Sequence, residues 1–344
     1  MREMATRVPG AGRMNAVHTV LPPAPERMVG GDGAPALGRH AGILRGCDWE
    51  RLAPPHAHNA LWRRLHHKRW HYAALSSERM FCAVAIVDLG WMTTCFAWAF
   101  ERGDGDMLAN FSQDGWPGRL SATLAPDARG SSTFSRRGVF IDLGPAGLSL
   151  RSPWLEIDAC FGPAPAPALV ACGLVKGGAV HATQKSPGLA LEGEVRTWRG
   201  EYPLHGGTAS IDYSNGLLAR QSAWRRAAGH DAELGFNLQA GNLGGNENAL
   251  WLDGSLFPLA PARFIHDAVD PLEPWRVFTE DDCLDLVFTP LAARREERSL
   301  RLAAASRYVQ PFGTFSGWVR SAPDAPKRMV TRLAGVTGQH FARW

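Results

Sequence analysis

Short apolar segments separated by turn residues dominate the sequence from Tyr72 onward. Met80 to Val87 and Trp91 to Phe100 are apolar runs joined by Asp88-Leu89-Gly90, a pattern typical of a β-hairpin. In Trp154 to Phe161 apolar side chains alternate with acidic ones, which predicts a strand with one buried face. Residues 189–198, 284–289 and 299–305 are further strand candidates. Because no long helical pattern interrupts them, the sequence predicts an all-β protein made of barrels or sandwiches.

Composition agrees with this class and indicates two folding units. The chain has 344 residues, above the usual size of a single domain, and 45% of them are hydrophobic. The 37 glycines, 24 prolines and 13 tryptophans favour turns and large aromatic contacts. Alternating prolines in 162–167 suggest a linker, so we expect a leader, wrapping segment and short helix at 1–69 and barrel domains at 70–165 and 166–344.

Several classes of partner and cofactor are not indicated. The net charge of +4 is small and its basic residues are spread out, which argues against nucleic-acid binding. We expect no metal and no nucleotide cofactor, because no phosphate loop, GxGxxG or HExxH sequence occurs and the six cysteines lack metal-ligand spacing. The cysteines are interpreted as buried free thiols. With no apolar signal region and no apolar stretch of about 18 residues, these features predict a cytoplasmic protein without an integral membrane segment.

The N-terminal part differs in character from the strand-rich remainder. Residues 1–16 read as an unstructured leader, and 17–59 are rich in Pro and Gly, which predicts a segment that wraps the outside of the fold. Residues 59–70 combine spaced apolar side chains with a basic run, which predicts one short amphipathic helix. Its basic face is either a solvated surface or an anion site.

Asn246-Glu247-Asn248 places a carboxylate between two carboxamides, directly before the apolar run 249–252 and an Asp-Gly turn. Glu is a poor strand residue and is rarely buried without a partner, so the cluster predicts a polar site inside a β-rich body. If the segment is extended, Glu247 shares a face with Ala249 and Trp251.

Other polar residues interrupt apolar strand sequence between 181 and 251 and near the C-terminus. A carboxyl group in an apolar barrel has a raised pKa and can donate a proton near neutral pH, which makes Asp212 and Glu247 catalytic candidates. The alternative is an internal ion-pair network in which Lys185 or Arg220 holds one of these acids. The ligand-binding candidates are Lys185, Arg220, Trp224, Asn237, Asn246, Asn248, Trp251 and His340.

Several blocks, in order, resemble the family called domain of unknown function 2804 over roughly residues 20–344. These blocks are 62–70, 85–90, Asp212-Tyr213, 246–251, 310–313 and 340–344. That family is similar in turn to the carotenoid hydratase and AttH group, which implies two lipocalin-like barrels of the calycin type. In the hydratases an Asp followed closely by a polar residue, a Trp and a Gly is implicated in catalysis. Asp212-Tyr213-Ser214-Asn215-Gly216 is the counterpart here, but it lacks the Trp.

The resemblance implies a hydratase, dehydratase or isomerase that acts on an apolar small molecule by carboxyl acid catalysis. The alternative is a non-catalytic binding protein for a lipophilic ligand, and a third is a structural or partner-binding module. An acid exposed in a pocket and not paired with Lys or Arg would favour the enzyme, whereas paired acids beside an apolar cavity would favour the binding protein. The sequence does not give the ligand or the oligomeric state.

Overall fold

The computed structural model describes residues 20–103, 105–241, 243–300 and 304–343, so the predicted leader at 1–16 lies outside the described residues. Strands account for 60% of the structure and helices for 5%. The predicted all-β class is therefore confirmed.

Short strands joined by short turns follow one another along the chain, as the spacing of turn residues predicted. The strands are β1 (Gly38–Ala41), β2 (His67–Ser76), β3 (Met80–Asp88), β4 (Thr93–Glu101), β5 (Met107–Gly115), β6 (Ala122–Thr123), β7 (Ser132–Arg136), β8 (Val139–Gly144), β9 (Gly147–Arg151), β10 (Leu155–Phe161), β11 (Leu169–Leu174), β12 (Val180–Thr197), β13 (Gly200–Pro203), β14 (Gly207–Leu217), β15 (Gln221–His230), β16 (Leu234–Gly241), β17 (Ala249–Leu252), β18 (Ser255–Pro258), β19 (Ala262–Ile265), β20 (Trp275–Thr279), β21 (Leu284–Leu300), β22 (Ala304–Val319) and β23 (Arg328–Arg343). The helices are α1 (Ala60–His66) and three single 3₁₀ turns at Trp49–Arg51, Gly118–Leu120 and Gly244–Glu247. Part of the predicted strand at 299–305 falls on 301–303, outside the described residues.

All the named strands pair antiparallel, in two sheets. The first sheet has the order β5-β4-β3-β2-β14-β12-β10-β9-β8-β7-β6, with β11 and β13 also paired to β12 and β1 paired to β11. Its ends, β5 and β6, are consecutive in the chain, and the Trp116 backbone N–H donates to Ser121 Oγ at 2.9 Å between them. The first sheet is thus a nearly closed barrel. The second, β18-β17-β16-β15-β23-β22-β21-β20-β19, is a half-barrel, and together they form the predicted lipocalin-like architecture.

Strand pairing continues across the predicted domain boundary at residues 165 and 166. β12 pairs with β10, and β14 pairs with β2, so chain on both sides of the predicted linker builds the first sheet. The chain changes sheets later, between Leu217 and Gln221. The division at 165 and 166 stays a prediction about folding units.

Each sheet has its own apolar core, and a third core joins them. Alternation in β10 directs Leu155, Ile157 and Phe161 into the first barrel, as the sequence pattern predicted. The second core surrounds residues such as Phe288 and Phe315. Between the sheets, the ring of Phe312 from β22 lies 4.5 Å from Phe81 and 5.5 Å from Phe100. The outer face of the first barrel is therefore the surface on which the second sheet packs.

The segment before β2 packs on the outside of the first barrel, as predicted. Met28, Leu44 and Trp49 are buried in one cluster with Val170 and Tyr213. β1 extends the first sheet by pairing with β11. This N-terminal segment covers apolar barrel surface that would otherwise contact water.

The predicted helix at 59–70 is only half helical. Asn59 caps α1, its Oδ1 accepting the Trp62 backbone N–H at 2.9 Å, but the helix ends at His66. From His67 the chain pairs with β14, and from Arg69 it pairs on its other side with β3. These long-range ladders override the local helical pattern. Lys68 is buried and its Nζ donates to the carbonyls of Leu65 and Leu89, so this part of the basic run is structural. No helix in the described part of the chain is long and apolar enough to cross a membrane.

Candidate functional site

A cavity of about 480 Å³ lies between the two sheets. Its first wall is formed by two rows of side chains that run across β2, β3, β4 and β5. One row is Trp70, Val87, Thr94 and Asp114, and the other is Tyr72, Ala85, Phe96 and Ser112. Because side chains alternate along a strand, residues in register on adjacent strands share a face, and this face is the outer surface of the barrel.

The opposite wall is a row across the second sheet. Trp224, His340, Tyr308 and Glu296 lie in register on β15, β23, β22 and β21. The rings of Trp224, Tyr308 and His340 contact one another, with centroids 5.1 to 5.9 Å apart. Burial lowers the pKa of His340 to about 4, so its imidazole is neutral at pH 7. This wall is aromatic, with a polar end at β21.

A ladder of polar side chains closes one side of the cavity and joins the sheets. Three alternate residues of β21, Arg294, Glu296 and Arg298, face three alternate residues of β5, Asn110, Ser112 and Asp114. Arg294 donates to Asn110 Oδ1 at 3.1 Å and to Ser112 Oγ at 2.8 Å. Glu296 pairs with both arginines, and Asp114 pairs with Arg298. Both carboxylates that line the cavity are therefore paired with arginine.

Lys185, Asp212, Glu247 and Arg226 form a second polar group, called here the buried ion network. Lys185 and Asp212 are directly opposite each other on β12 and β14, and Lys185 Nζ lies 2.6 Å from Asp212 Oδ2. Lys185 Nζ is also 3.1 Å from Glu247 Oε2, and Arg226 Nη1 is 2.9 Å from Asp212 Oδ2. The side chains of Lys185, Asp212 and Glu247 expose 7%, 3% and 2% of their surfaces. Only Arg226 of this network also lines the cavity.

The two acids of the network differ in electrostatic character. Burial opposes ionisation of Asp212, but Lys185 and Arg226 outweigh it and hold the pKa of that carboxyl below its ordinary value. Burial raises the pKa of Glu247, although Lys185 acts in the opposite direction. Glu247 Oε1 has no hydrogen-bond partner among the described residues. Asp212 is thus the ionised centre of the network, and Glu247 is the acid that protonates more readily.

The remaining predicted site residues lie away from the cavity walls. Glu247 ends a 3₁₀ turn, so the expected extended geometry with Ala249 and Trp251 is wrong. Asn237 donates to the Glu247 carbonyl at 2.8 Å, and Asn248 Oδ1 accepts the Gln239 backbone N–H at 2.7 Å. Trp251 Nε1 donates to the Pro167 carbonyl at 2.9 Å. Arg220 is exposed in the turn before β15, and Asn246 is near Gly173.

Two of the predicted ligand-binding residues, Trp224 and His340, do line the cavity. The sequence reasoning missed the ladder, although its signal was present, since Arg294, Glu296 and Arg298 recur every second position in a strand and so share one face. It also assigned the second cation to Arg220 rather than Arg226. Among the described residues, no group of three or more His, Cys, Asp or Glu side chains is arranged to hold a metal ion.

The two packed antiparallel sheets, with the cavity between them, define a protein of lipocalin-like fold. The model of the family named Domain of unknown function (DUF2804) matches residues 24–344, and the chain belongs to that family. A comparison with curated protein sequences gives no match.

Solved structures share the architecture at low sequence identity. CghA with Sch210972 has a TM-score of 0.53 at 10% identity, over 93% of this chain and 97% of that one. Kievitone hydratase from Nectria haematococca has a TM-score of 0.49 at 10% identity, over 94% and 98%. A putative AttH from Nitrosomonas europaea has a TM-score of 0.46 at 14% identity, over 84% and 96%. At these identities the similarity concerns the fold alone.

Proposed function

We propose that this protein binds one lipophilic small molecule in the cavity between its two sheets. The observation that carries the proposal is the cavity itself, about 480 Å³ in volume and lined by the rings of Trp70, Phe96, Trp224 and Tyr308 among others. This volume falls within the range of about 300–1,000 Å³ that is usual for small-molecule sites. A concave aromatic surface with a few polar groups at one side suits a ligand with an apolar body.

Binding without conversion fits this geometry better than carboxyl acid catalysis. A catalytic acid must reach the ligand and carry a proton, or be free to accept one. Asp212 and Glu247 are buried behind the wall and held by Lys185. Asp114 and Glu296 line the cavity, but each is paired with arginine. The hydratase, dehydratase or isomerase hypothesis therefore lacks an available acid, and we assign these carboxylates structural roles.

The proposal is tested with Nile red, a neutral lipophilic dye whose fluorescence rises in apolar surroundings. We expect saturable binding of one dye per chain, with energy transfer from the tryptophans that line the cavity. Val87→Trp places an indole in the first wall and should weaken dye binding by at least about tenfold, because it fills the space the dye needs.

Val287→Trp is the matched control, since Val287 is 45% exposed on β21 and does not line the cavity. This variant should bind the dye as the wild type does. Nile red binding that is absent, unsaturable, or equally strong in Val87→Trp would overturn the proposed site.

A further inference from the structure

We propose that one end of the molecule docks on an anionic lipid bilayer, so that the mouth of the cavity faces the lipid. The docking surface, called here the mouth patch, consists of Leu61, Arg64, Leu65, Leu174, Lys176 and Arg220. Its role in passing the cavity ligand to and from the bilayer rests on the proposed function. Docking itself requires no ligand and is tested separately.

The cavity has a closed end and an open end. Along the outer face of β3, Phe81 is buried in the core between the sheets, whereas Ala85 and Val87 line the cavity. The lining continues past the end of β3 with Trp91 and Met92, in the turn before β4. Both of these side chains are only partly buried. The mouth of the cavity therefore lies at the turn between β3 and β4.

Helix α1 ends beside this mouth. The carbonyls of Leu65, in α1, and of Leu89, in the turn, both accept from Lys68 Nζ, at 2.7 and 2.6 Å. The Leu218 backbone N–H donates to the carbonyl of His66 at 2.9 Å. Because Leu89 and Leu218 line the cavity, the last turn of α1 forms part of its rim.

Two leucines of α1 face away from the protein. Leu61 and Leu65 are one helical turn apart, and they expose 69% and 53% of their surfaces. The helix is held from its other side by Trp62, which packs against the core beneath the N-terminal segment. The Trp62 ring stacks between those of His58 and His66, with centroids 3.6 and 3.8 Å away. The exposed leucines are thus presented on a fixed helix.

Arg64, Lys176 and Arg220 give the mouth patch its charge. All three are exposed, and none forms an ion pair with a described residue. Lys176 and the exposed Leu174 belong to the turn at 174–179, which hydrogen-bonds to the end of β14 just before Arg220. The cations therefore surround the leucines at the same end of the first barrel.

No free carboxylate balances these cations in the segments that carry the patch and the mouth. Those segments are 60–66, 88–92, 174–179 and 217–221. They contain one acidic residue, Asp88, which is 2.7 Å from Arg69. The neighbouring 3₁₀ turn at Trp49–Arg51 has one acidic and one basic residue and adds no net charge.

Exposed leucines among unbalanced cations are suited to an anionic bilayer. The cations are attracted to lipid headgroups, and the leucines bury apolar surface at the boundary with the acyl chains. A bilayer also accounts for the position of the patch, because a molecule with an apolar body dissolves in lipid and would enter the mouth without crossing water.

Co-sedimentation with lipid vesicles tests this docking. We expect the protein to bind vesicles of equal parts phosphatidylcholine and phosphatidylglycerol at a lipid concentration at least about tenfold lower than vesicles of phosphatidylcholine alone. Raising the salt concentration to about 0.5 M should remove most of this preference, because it screens charges at the membrane surface.

Single substitutions locate the contact. Arg64→Gln should weaken binding to the anionic vesicles about fivefold, and Leu61→Gln should weaken it at least about threefold. The matched controls are Arg332→Gln and Met329→Gln, near the start of β23 and far along that strand from His340 in the cavity wall. Arg332 is exposed without an ion-pair partner among the described residues, and Met329 is 70% exposed. Both controls should bind the vesicles as the wild type does.

The outcomes keep this proposal apart from the proposed function. Nile red bound without any vesicle binding would leave the cavity site standing and overturn the docking surface. Equal binding to both kinds of vesicle, or equal losses in the patch variants and the controls, would also overturn it. If the protein ignores vesicles and Leu61→Gln instead converts a dimer to a monomer by native mass spectrometry, the patch contacts a second copy of the chain and the bilayer is wrong.

Discussion

At the scale of single residues, Asp212 holds the two sheets together electrostatically. It accepts from Lys185 within the first sheet and from Arg226 of the second sheet at distances below 3 Å. One buried cation, Lys185, and one partly buried cation, Arg226, thus depend on the same carboxylate. Removal of one partner of a buried ion pair leaves an uncompensated charge, which costs far more than the net contribution of the pair.

This dependence predicts an order of stability among three variants. Asp212→Asn should lower the free energy of unfolding by about 3–5 kcal/mol, because Arg226 loses its carboxylate and Lys185 keeps only Glu247. Glu247→Gln should cost about 1–3 kcal/mol, since Asp212 still neutralises Lys185 and burial already disfavours the ionised Glu247. Glu233→Gln, at an exposed pair with Arg328, should cost less than about 1 kcal/mol. Urea denaturation of the three proteins measures the order, and an Asp212→Asn protein as stable as the wild type would contradict the structural role.

The sequence indicated three members of the network but not their pairing. Polar side chains in apolar strand sequence pointed to Lys185, Asp212 and Glu247. The register that places Lys185 opposite Asp212 depends on long-range pairing of β12 with β14, for which the sequence carries no local signal. Arg226 was missed as a partner because its contact with Asp212 forms only when the two sheets pack.

At the scale of elements, three glycines in register occupy adjacent strands of the second sheet. Gly335 on β23 is paired with Gly229 on β15 and with Gly313 on β22. A Cβ atom at Gly335 would lie 2.2 Å from the carbonyl oxygen of Ala228 and 2.8 Å from a ring carbon of Phe315. Its neighbours Ala334 and Val336 belong to the core between the sheets. The three glycines therefore allow β15, β23 and β22 to lie close together within the second sheet, at the place where this sheet packs on the first.

Gly335→Ala should consequently destabilise the protein by about 1–3 kcal/mol or more, because the added methyl group meets backbone that cannot move independently. Gly31→Ala is the matched control, since a Cβ there would meet nothing within 4 Å. Thermal unfolding of both variants provides the comparison. Equal melting temperatures for the two would show that the strands at Gly335 have room to separate.

The strands themselves were easier to predict than their ends. Alternation in β10 and the turn at 88–90 are local signals, and the structure confirms both elements. The basic run at 59–70 carries an equally local helical pattern, yet β2 begins at His67, where pairing with β14 starts, and from Arg69 onward β3 pairs on the other side. Where a local helical preference competes with pairing to strands on both sides, the local sequence alone does not predict whether the segment forms a helix or a strand.

At the scale of the whole molecule, buried histidines make stability depend on pH. Burial lowers the pKa of His71, His230 and His340 to about 4 and that of His181 to about 3, from an ordinary value of 6.5. Between pH 6.5 and 4 the unfolded chain therefore binds more protons than the folded one, and stability falls as the pH falls through this window. Glu247 acts in the opposite direction, because its raised pKa favours protonation in the folded state.

Four histidines outweigh one glutamate, so the protein should be clearly less stable at pH 5 than at pH 7. Each buried histidine that stays neutral costs about 2 kcal/mol at pH 5 relative to the unfolded chain. Urea midpoints measured at the two pH values test this expectation. A midpoint that is unchanged or higher at pH 5 would mean that these histidines are charged in the folded protein.

The two-sheet architecture followed from the residues and the family resemblance, whereas the cavity did not. Its walls combine the row of Trp70 with the row of Trp224, which are more than 150 positions apart in the chain. The position of the cavity depends on which outer face of the first barrel the second sheet covers. The alternation of side chains within each sheet does not specify how the two sheets pack on each other.

Because each wall belongs to a different sheet, the docking of the sheets is part of any binding constant measured for this cavity. A ligand in contact with both walls stabilises the docked arrangement of the two sheets. At a free ligand concentration of 100 times the dissociation constant, it would increase the stability of the docked state by about 2.7 kcal/mol. The same linkage works in reverse. Phe81 and Phe312 pack the two sheets together and do not line the cavity. A substitution that weakens their contact would therefore lower the affinity of the cavity for its ligand, because it destabilises the docking of the two walls.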